Sequence, residues 1–175
     1  MMNIVIRTDA SIKMGSGHVM RCLTLAESLR EQGASVMFVS RKHDGNLNQI
    51  ISEKGFQVKV LNQPLPSKKR TAEGKDIYMD WLGVSEKQDA EDTISVIGNN
   101  KPNWLIIDHY SLGEKWEKEL RPIVENIFVI DDIANRQHDC DILLDQNWFE
   151  NMDNRYDGLV AAKCTKLLGP KYALL

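Results

Sequence analysis

His18 stands behind the glycine pair of Gly15-Ser16-Gly17 and opens a run whose apolar residues, Val19, Cys22, Leu23, Ala26 and Leu29, repeat on one helical stripe. A histidine at a helix start sits at the positive end of the helix dipole. That field disfavours a charged ring and keeps a neutral imidazole able to accept a proton near pH 7. Glycines at 15 and 17 let the backbone approach a ligand where a Cβ would obstruct it. The chemistry on offer is general-base catalysis. Polar residues that could share it recur directly after apolar runs: Asp9, Asp108-His109-Tyr110, Asp131-Asp132 and Asn147. Acids in such places also cap helices or bind loop amides, and a glycine turn with an exposed histidine is the plainer reading of residues 15–18.

The elements that must position these groups alternate. Ile4-Val5-Ile6 reads as a strand covered on both faces, and Gly33 ends the helix that follows His18. Ser35–Ser40 gives a second strand, and Asp44 or Asn46 caps a short helix carrying Leu47, Ile50 and Ile51. Phe56–Leu61 gives a third strand. Asn62–Gly83 is irregular, with Pro64, Pro66, the basic run Lys68-Lys69-Arg70 and the aromatic Tyr78 and Trp81. It reads as a lid over a cleft or as a loop packed on the core. Ser85-Glu86-Lys87-Gln88 and Ser111-Leu112-Gly113-Glu114 read as capping boxes of two further helices, the second interrupted at Pro122. Trp104–Asp108, Ile127–Asp132 and Asp141–Asp145 complete the strands. This alternation predicts an α/β fold, a Rossmann-like open parallel sheet with helices on both faces. In such a sheet the glycine turn and the acids lie at one edge, beyond the carboxyl ends of the strands, where ligands bind.

Size and composition narrow the function. The 175 residues suit one domain, with 42% hydrophobic and 27% charged residues. A net charge of −3 gives no electrostatic case for nucleic acid, and no apolar run reaches membrane-spanning length. Met1-Met2-Asn3 leads straight into the first strand, so no signal peptide is expected. Cys22, Cys140 and Cys164 lack metal-ligand spacing, and Cys22 lies on the apolar stripe as a buried thiol, which fits a cytoplasmic protein. Met20 stands where a dinucleotide fingerprint needs its third glycine, and there is no phosphate-binding GKS/T loop.

Taken together, Arg7-Thr8-Asp9-Ala10-Ser11 with Gly15-Ser16-Gly17-His18-Val19-Met20-Arg21-Cys22, Trp81-Leu82-Gly83-Val84-Ser85, Ile107-Asp108-His109-Tyr110, Asp131-Asp132 with His138, Cys140–Asn147, and Leu168–Leu175 resemble the UDP-2,4-diacetamido-2,4,6-trideoxy-β-L-altropyranose hydrolases of pseudaminic acid biosynthesis and the related spore-coat polysaccharide biosynthesis proteins. That family resembles the two-domain GT-B glycosyltransferases, including lipid II synthase. The resemblance implies an N-terminal, sugar-side domain over residues 1–148, with 149–175 leading to a C-terminal domain that holds the nucleotide. It implies metal-independent, cofactor-free hydrolysis of a UDP-sugar at the anomeric carbon with inversion, which needs a base activating a water opposite the leaving group.

His18 is then the base and Tyr110 a catalytic partner. Asp9, Gly15, Gly17, Arg21, His109, Asp132 and Asn147 are expected at the substrate, with Asp9 orienting His18 and Asn147 meeting an acetamido group. Asp131-Asp132 leaves Mg²⁺ open. Two other readings compete. One is a GT-B glycosyltransferase half using the same histidine on an acceptor hydroxyl. The other is a non-catalytic Rossmann-like module, including a receiver-type domain, for which no late strand supplies the required lysine.

Overall fold

The structure, a computed structural model, describes residues 1–65 and 78–174. Its regular elements are β1 (Asn3–Thr8), α1 (Gly17–Glu31), β2 (Ser35–Arg41), α2 (Asn48–Glu53), β3 (Gln57–Leu61), α3 (Glu86–Ile97), β4 (Trp104–Asp108), α4 (Glu114–Leu120), β5 (Asn126–Ile130), β6 (Ile142–Asp145) and β7 (Thr165–Leu168). The strands form one sheet in the order β3-β2-β1-β4-β5-β6-β7, and every neighbouring pair is parallel. The direction of winding reverses between β1 and β4, and ligand crevices open at such switch points. Among the described residues no helix is long and apolar enough to cross a membrane.

Because strand side chains alternate, each strand feeds two cores. Val5, Val39, Leu105, Ile107, Val129 and Leu143 face α3 and α4, meeting Ala90, Ile97, Trp116 and Leu120. Ile4, Ile6, Phe38, Ile106, Ile130 and Leu144 face α1 and α2, meeting Val19, Cys22, Leu23, Ala26 and Ile51. The end of α1 is a Schellman motif. Gly33 takes φ +87°, its N–H bonds the Arg30 carbonyl, and the Ala34 N–H bonds the Leu29 carbonyl.

Local expectations met different fates. Ser85 does cap α3, accepting the Gln88 N–H at 3.1 Å. For α2 the Asn46 side chain accepts the Asn48 N–H at 3.2 Å, although the cap residue is Leu47. The box at Ser111 does not form. Gly113 caps α4 without a side-chain bond, the Ser111 hydroxyl donates to the Tyr78 carbonyl, and the Glu114 N–H donates to Gln137. Pro122 falls in a single 3-10 turn that follows α4 at once. The stretch 149–175 reads from sequence as a connecting segment; its described part contributes β7 and the fully buried Tyr156. Pro66 and Lys68-Lys69-Arg70, the greater part of the expected lid, lie outside the described residues.

Strand parity also buries charge. Arg7 has the parity of Val5 and points to the α3/α4 face, fully inaccessible. Its guanidinium pairs with Asp9 and, at 2.7 Å, with Asp89 of α3. Arg41 reaches Asp89 at 2.8 Å and Asp92 at 2.8 Å, and the Trp116 indole donates to Asp89 at 3.0 Å. Burial pushes the Asp9 and Asp89 carboxyls up, but Arg7 and their further hydrogen bonds hold both below the usual carboxylate range.

Two consequences are measurable. Arg7→Met strands buried carboxylates and should cost about 3–5 kcal/mol in urea unfolding. Because both folded-state carboxyl pKa values are depressed, their contribution is fully present above the unfolded value of about 3.9 and is lost as pH falls through the folded values. Unfolding free energy should therefore fall more steeply with acid below about pH 4 in the wild type than in Asp89→Asn.

Candidate active site

A cleft of about 590 Å³ opens where α1 begins, lined by Gly17, His18 and Arg21 of α1 and by Trp81, Tyr110 and Gln146 from the loops after β3, β4 and β6. Position on the helix brings His18, Arg21 and Cys22 together, since residues three and four apart share a face. Parity on β4 supplies their partner. Asp108 has the parity of Ile106 and so points to the α1 side, buried completely.

Asp108 organises the site. Its Oδ1 lies 2.6 Å from His18 Nδ1, and Arg21 grips both carboxylate oxygens, Nε to Oδ2 at 2.6 Å and Nη2 to Oδ1 at 2.7 Å. The Cys22 thiol points at Oδ2 from 3.6 Å. Burial pushes this carboxyl up, yet the Arg21 hydrogen bonds and the nearby His18 hold it below its ordinary range, so it is charged at neutral pH. A charged acceptor at Nδ1 selects the tautomer with the proton on Nδ1, leaving the Nε2 lone pair toward the cleft.

A second carboxylate ties in the far wall. Asp132 accepts from Arg21 Nη1 at 3.1 Å, from Asn147 Nδ2 at 3.1 Å and from the Tyr110 hydroxyl. Burial and this bond push the Tyr110 phenol above its ordinary range, so it stays a neutral donor. The Tyr110 ring meets the His18 ring edge-on at 4.5 Å between centroids, and Trp81 stacks on Tyr110 at 5.7 Å with 26° between planes.

The structure brings His18, Tyr110, Gly17, Arg21, Asp132 and Asn147 to one site and leaves three of the expected residues away from it. Asp9 does not orient His18. It follows the parity of Arg7 to the opposite face, where it accepts from Arg7 and, at 2.7 Å, from the Arg41 N–H, with the His109 and His43 rings beside it. His109 turns inward with it. Its Nδ1 accepts the Ser111 N–H at 3.1 Å, its Nε2 lies 3.2 Å from Asp9, and burial keeps the ring neutral. Gly15 is a turn residue, with φ +75° and its N–H on the Ser11 carbonyl, whereas Gly17 forms the cleft wall itself. The orienting acid is Asp108. Counting parity along Trp104–Asp108 and spacing along His18–Cys22 was the signal that could have found it.

No protein-family model matches the chain. Over 176 aligned residues, 99% of its length, the chain is 31% identical to the UDP-2,4-diacetamido-2,4,6-trideoxy-β-L-altropyranose hydrolase of Campylobacter jejuni and covers 52% of that protein. It is 27% identical over 177 aligned residues to an uncharacterized protein of Methanocaldococcus jannaschii, covering 31% of it. The chain thus spans about half the length, or less, of these relatives. In fold, 94% of the chain superposes on 44% of Acinetobacter baumannii MurG with a TM-score of 0.58 at 9% identity.

The tautomer is directly testable. In ¹⁵N NMR spectra recorded where its ring is neutral, His18 should show the Nδ1–H tautomer, and Asp108→Asn should abolish that preference while the fold persists. The chain is similar in sequence, along almost its whole length, to a UDP-diacetamido-trideoxy-altropyranose hydrolase, and it carries the Rossmann-like fold seen in the GT-B protein MurG.

Proposed function

We propose that this chain is the sugar-side half of an inverting UDP-sugar hydrolase that cleaves a UDP-linked 2,4-diacetamido-2,4,6-trideoxy sugar at the anomeric carbon in surface-polysaccharide biosynthesis. The observation that carries the reading is the His18–Asp108 pair at the cleft wall. In the proposed reaction Nε2 takes a proton from a water as the water's oxygen bonds the anomeric carbon. The glycosidic bond to UDP breaks on the opposite face, and its electron pair leaves with UDP. The buried Asp108 carboxylate stabilises the imidazolium that results, as acids behind catalytic histidines do. Tyr110, whose proton is directed to Asp132, keeps its oxygen lone pairs for the water or a sugar N–H.

The similarity to the Campylobacter jejuni hydrolase over 99% of the chain supports this reading. The nucleotide site is assigned to a second domain. The reaction is assigned to the cytoplasm, where the Cys140 and Cys164 thiols, 3.6 Å apart, stay reduced. The MurG-like fold supports a second reading, transfer to an acceptor hydroxyl in place of water. Product analysis with and without a sugar or lipid acceptor separates the two.

In the whole protein, His18→Ala should lower turnover by roughly 10²–10⁴-fold with UDP affinity nearly unchanged, and Tyr110→Phe should lose less. Near wild-type turnover in His18→Ala would remove His18 as the base. Calorimetry on residues 1–175 alone should find only weak UDP binding, and micromolar affinity there would overturn the assignment of the nucleotide to a second domain.

A further inference from the structure

The mechanism above leaves Trp81 unused, although it forms the cleft wall beside the base. Its ring centroid is 6.3 Å from that of His18, edge-on, and it stacks on Tyr110, while Tyr78 packs edge-on against both at 4.8 and 5.1 Å. The turn that carries it is pinned on both sides. On one, the Tyr78 carbonyl accepts the Ser111 hydroxyl. On the other, Leu82 is 1% exposed in the core, and Gly83 takes φ +74°, where a Cβ would stand 2.4 Å from Pro64 Cγ. The indole is therefore held in place before any ligand arrives, although it is only half-buried.

The rest of the wall has the same character. Met14, Met20 and Leu174 line the cleft with Trp81 and Tyr110, and its polar groups come from His18, Arg21, Thr24 and Gln146. A pocket built this way takes a ligand with a broad apolar face and few groups needing bonds. A hydroxyl-rich hexose would leave hydroxyls against methionine and leucine, each desolvated without a partner. A sugar whose hydroxyls are replaced by a methyl and by acetamido groups presents C–H and methyl surface instead.

We propose that Trp81 sets the sugar specificity of the site, stacking on the apolar face of a deoxy, N-acetylated sugar and so holding its anomeric carbon toward His18 Nε2. This rests on the hydrolase reading for its catalytic consequence, and on the cleft alone for binding. Discrimination by an apolar wall against an added hydroxyl is limited to about a hundredfold.

The experiment compares wild type, Trp81→Ala, Trp81→Phe and Gly83→Ala in the whole protein on two substrates, the UDP-linked 2,4-diacetamido-2,4,6-trideoxy sugar and UDP-N-acetylglucosamine. Trp81→Ala should lower kcat/KM for the trideoxy substrate about tenfold or more, mainly through KM, and change the value for UDP-N-acetylglucosamine little, so that selectivity collapses. Trp81→Phe should keep most of the selectivity, and Gly83→Ala, which displaces the turn without touching the indole, should lose it. Equal losses on both substrates, or less than a twofold change in Trp81→Ala, would overturn the proposal. If the wild type hydrolyses neither substrate, the hydrolase reading falls and Trp81 is judged by binding alone. Tenfold weaker affinity of Trp81→Ala for the trideoxy UDP-sugar in calorimetry then upholds it, and unchanged affinity sinks it.

Discussion

A carboxylate with no solvent exposure stays charged only where the protein replaces its water with donors. Asp108 meets that condition with one bidentate guanidinium and one imidazole, both from the first two turns of α1. The arrangement couples three things that are usually separate. It docks the start of α1 against the end of β4, it chooses the protonation site on His18, and it leaves Arg21 a third nitrogen with which to reach Asp132. Remove the carboxylate and the helix start, the tautomer and the far wall all lose their common anchor.

The opposite face of the sheet shows the same physics used for a different end. Arg7, Arg41, Asp9 and Asp89 balance two cations against two anions in a volume sealed from solvent. They tie the ends of β1 and β2 to α3, so the loops that leave those strands start from firm positions, including the one that runs into the glycine turn. Chemistry on one face thus rests on electrostatics locked into the other.

Much of this was legible in the residues. Six strands were placed to within a residue at their starts because continuous β-branched and aliphatic runs between glycine and proline signals admit little else. His18 was legible because a helix stripe begins with it. Asp9 was misassigned because nearness in sequence to the glycine turn was weighed above the alternation of a strand, which sends Asp9 with Arg7 and away from His18. β7 was missed because an edge strand buries little. Thr165 and Lys166 are exposed and only Leu167 and Leu168 turn partly inward, too short a signal beside the strong run in β6. Ser111 looked like a cap because a serine three residues before a glutamate looks the same whether its hydroxyl turns to its own helix or to a carbonyl 33 residues away.

The strand order also carries a consequence for how the chain assembles as it is made. Of the strands described, β1 comes first in the sequence and is at the middle of the sheet, with β2 and β3 successively to one side of it. Residues 3–61 can therefore form a three-stranded unit with α1 and α2 before β4 is made. The next strand, β4, must then travel back to the free edge of β1, closing a loop of nearly a hundred residues. That is the longest loop closure in the sheet, and contact order makes it the step expected to be slowest. After it, β5, β6 and β7 each add to the strand just laid down. The same step brings Asp108 to His18, so this hydrogen-bonded pair comes into being only when the two halves of the sheet join.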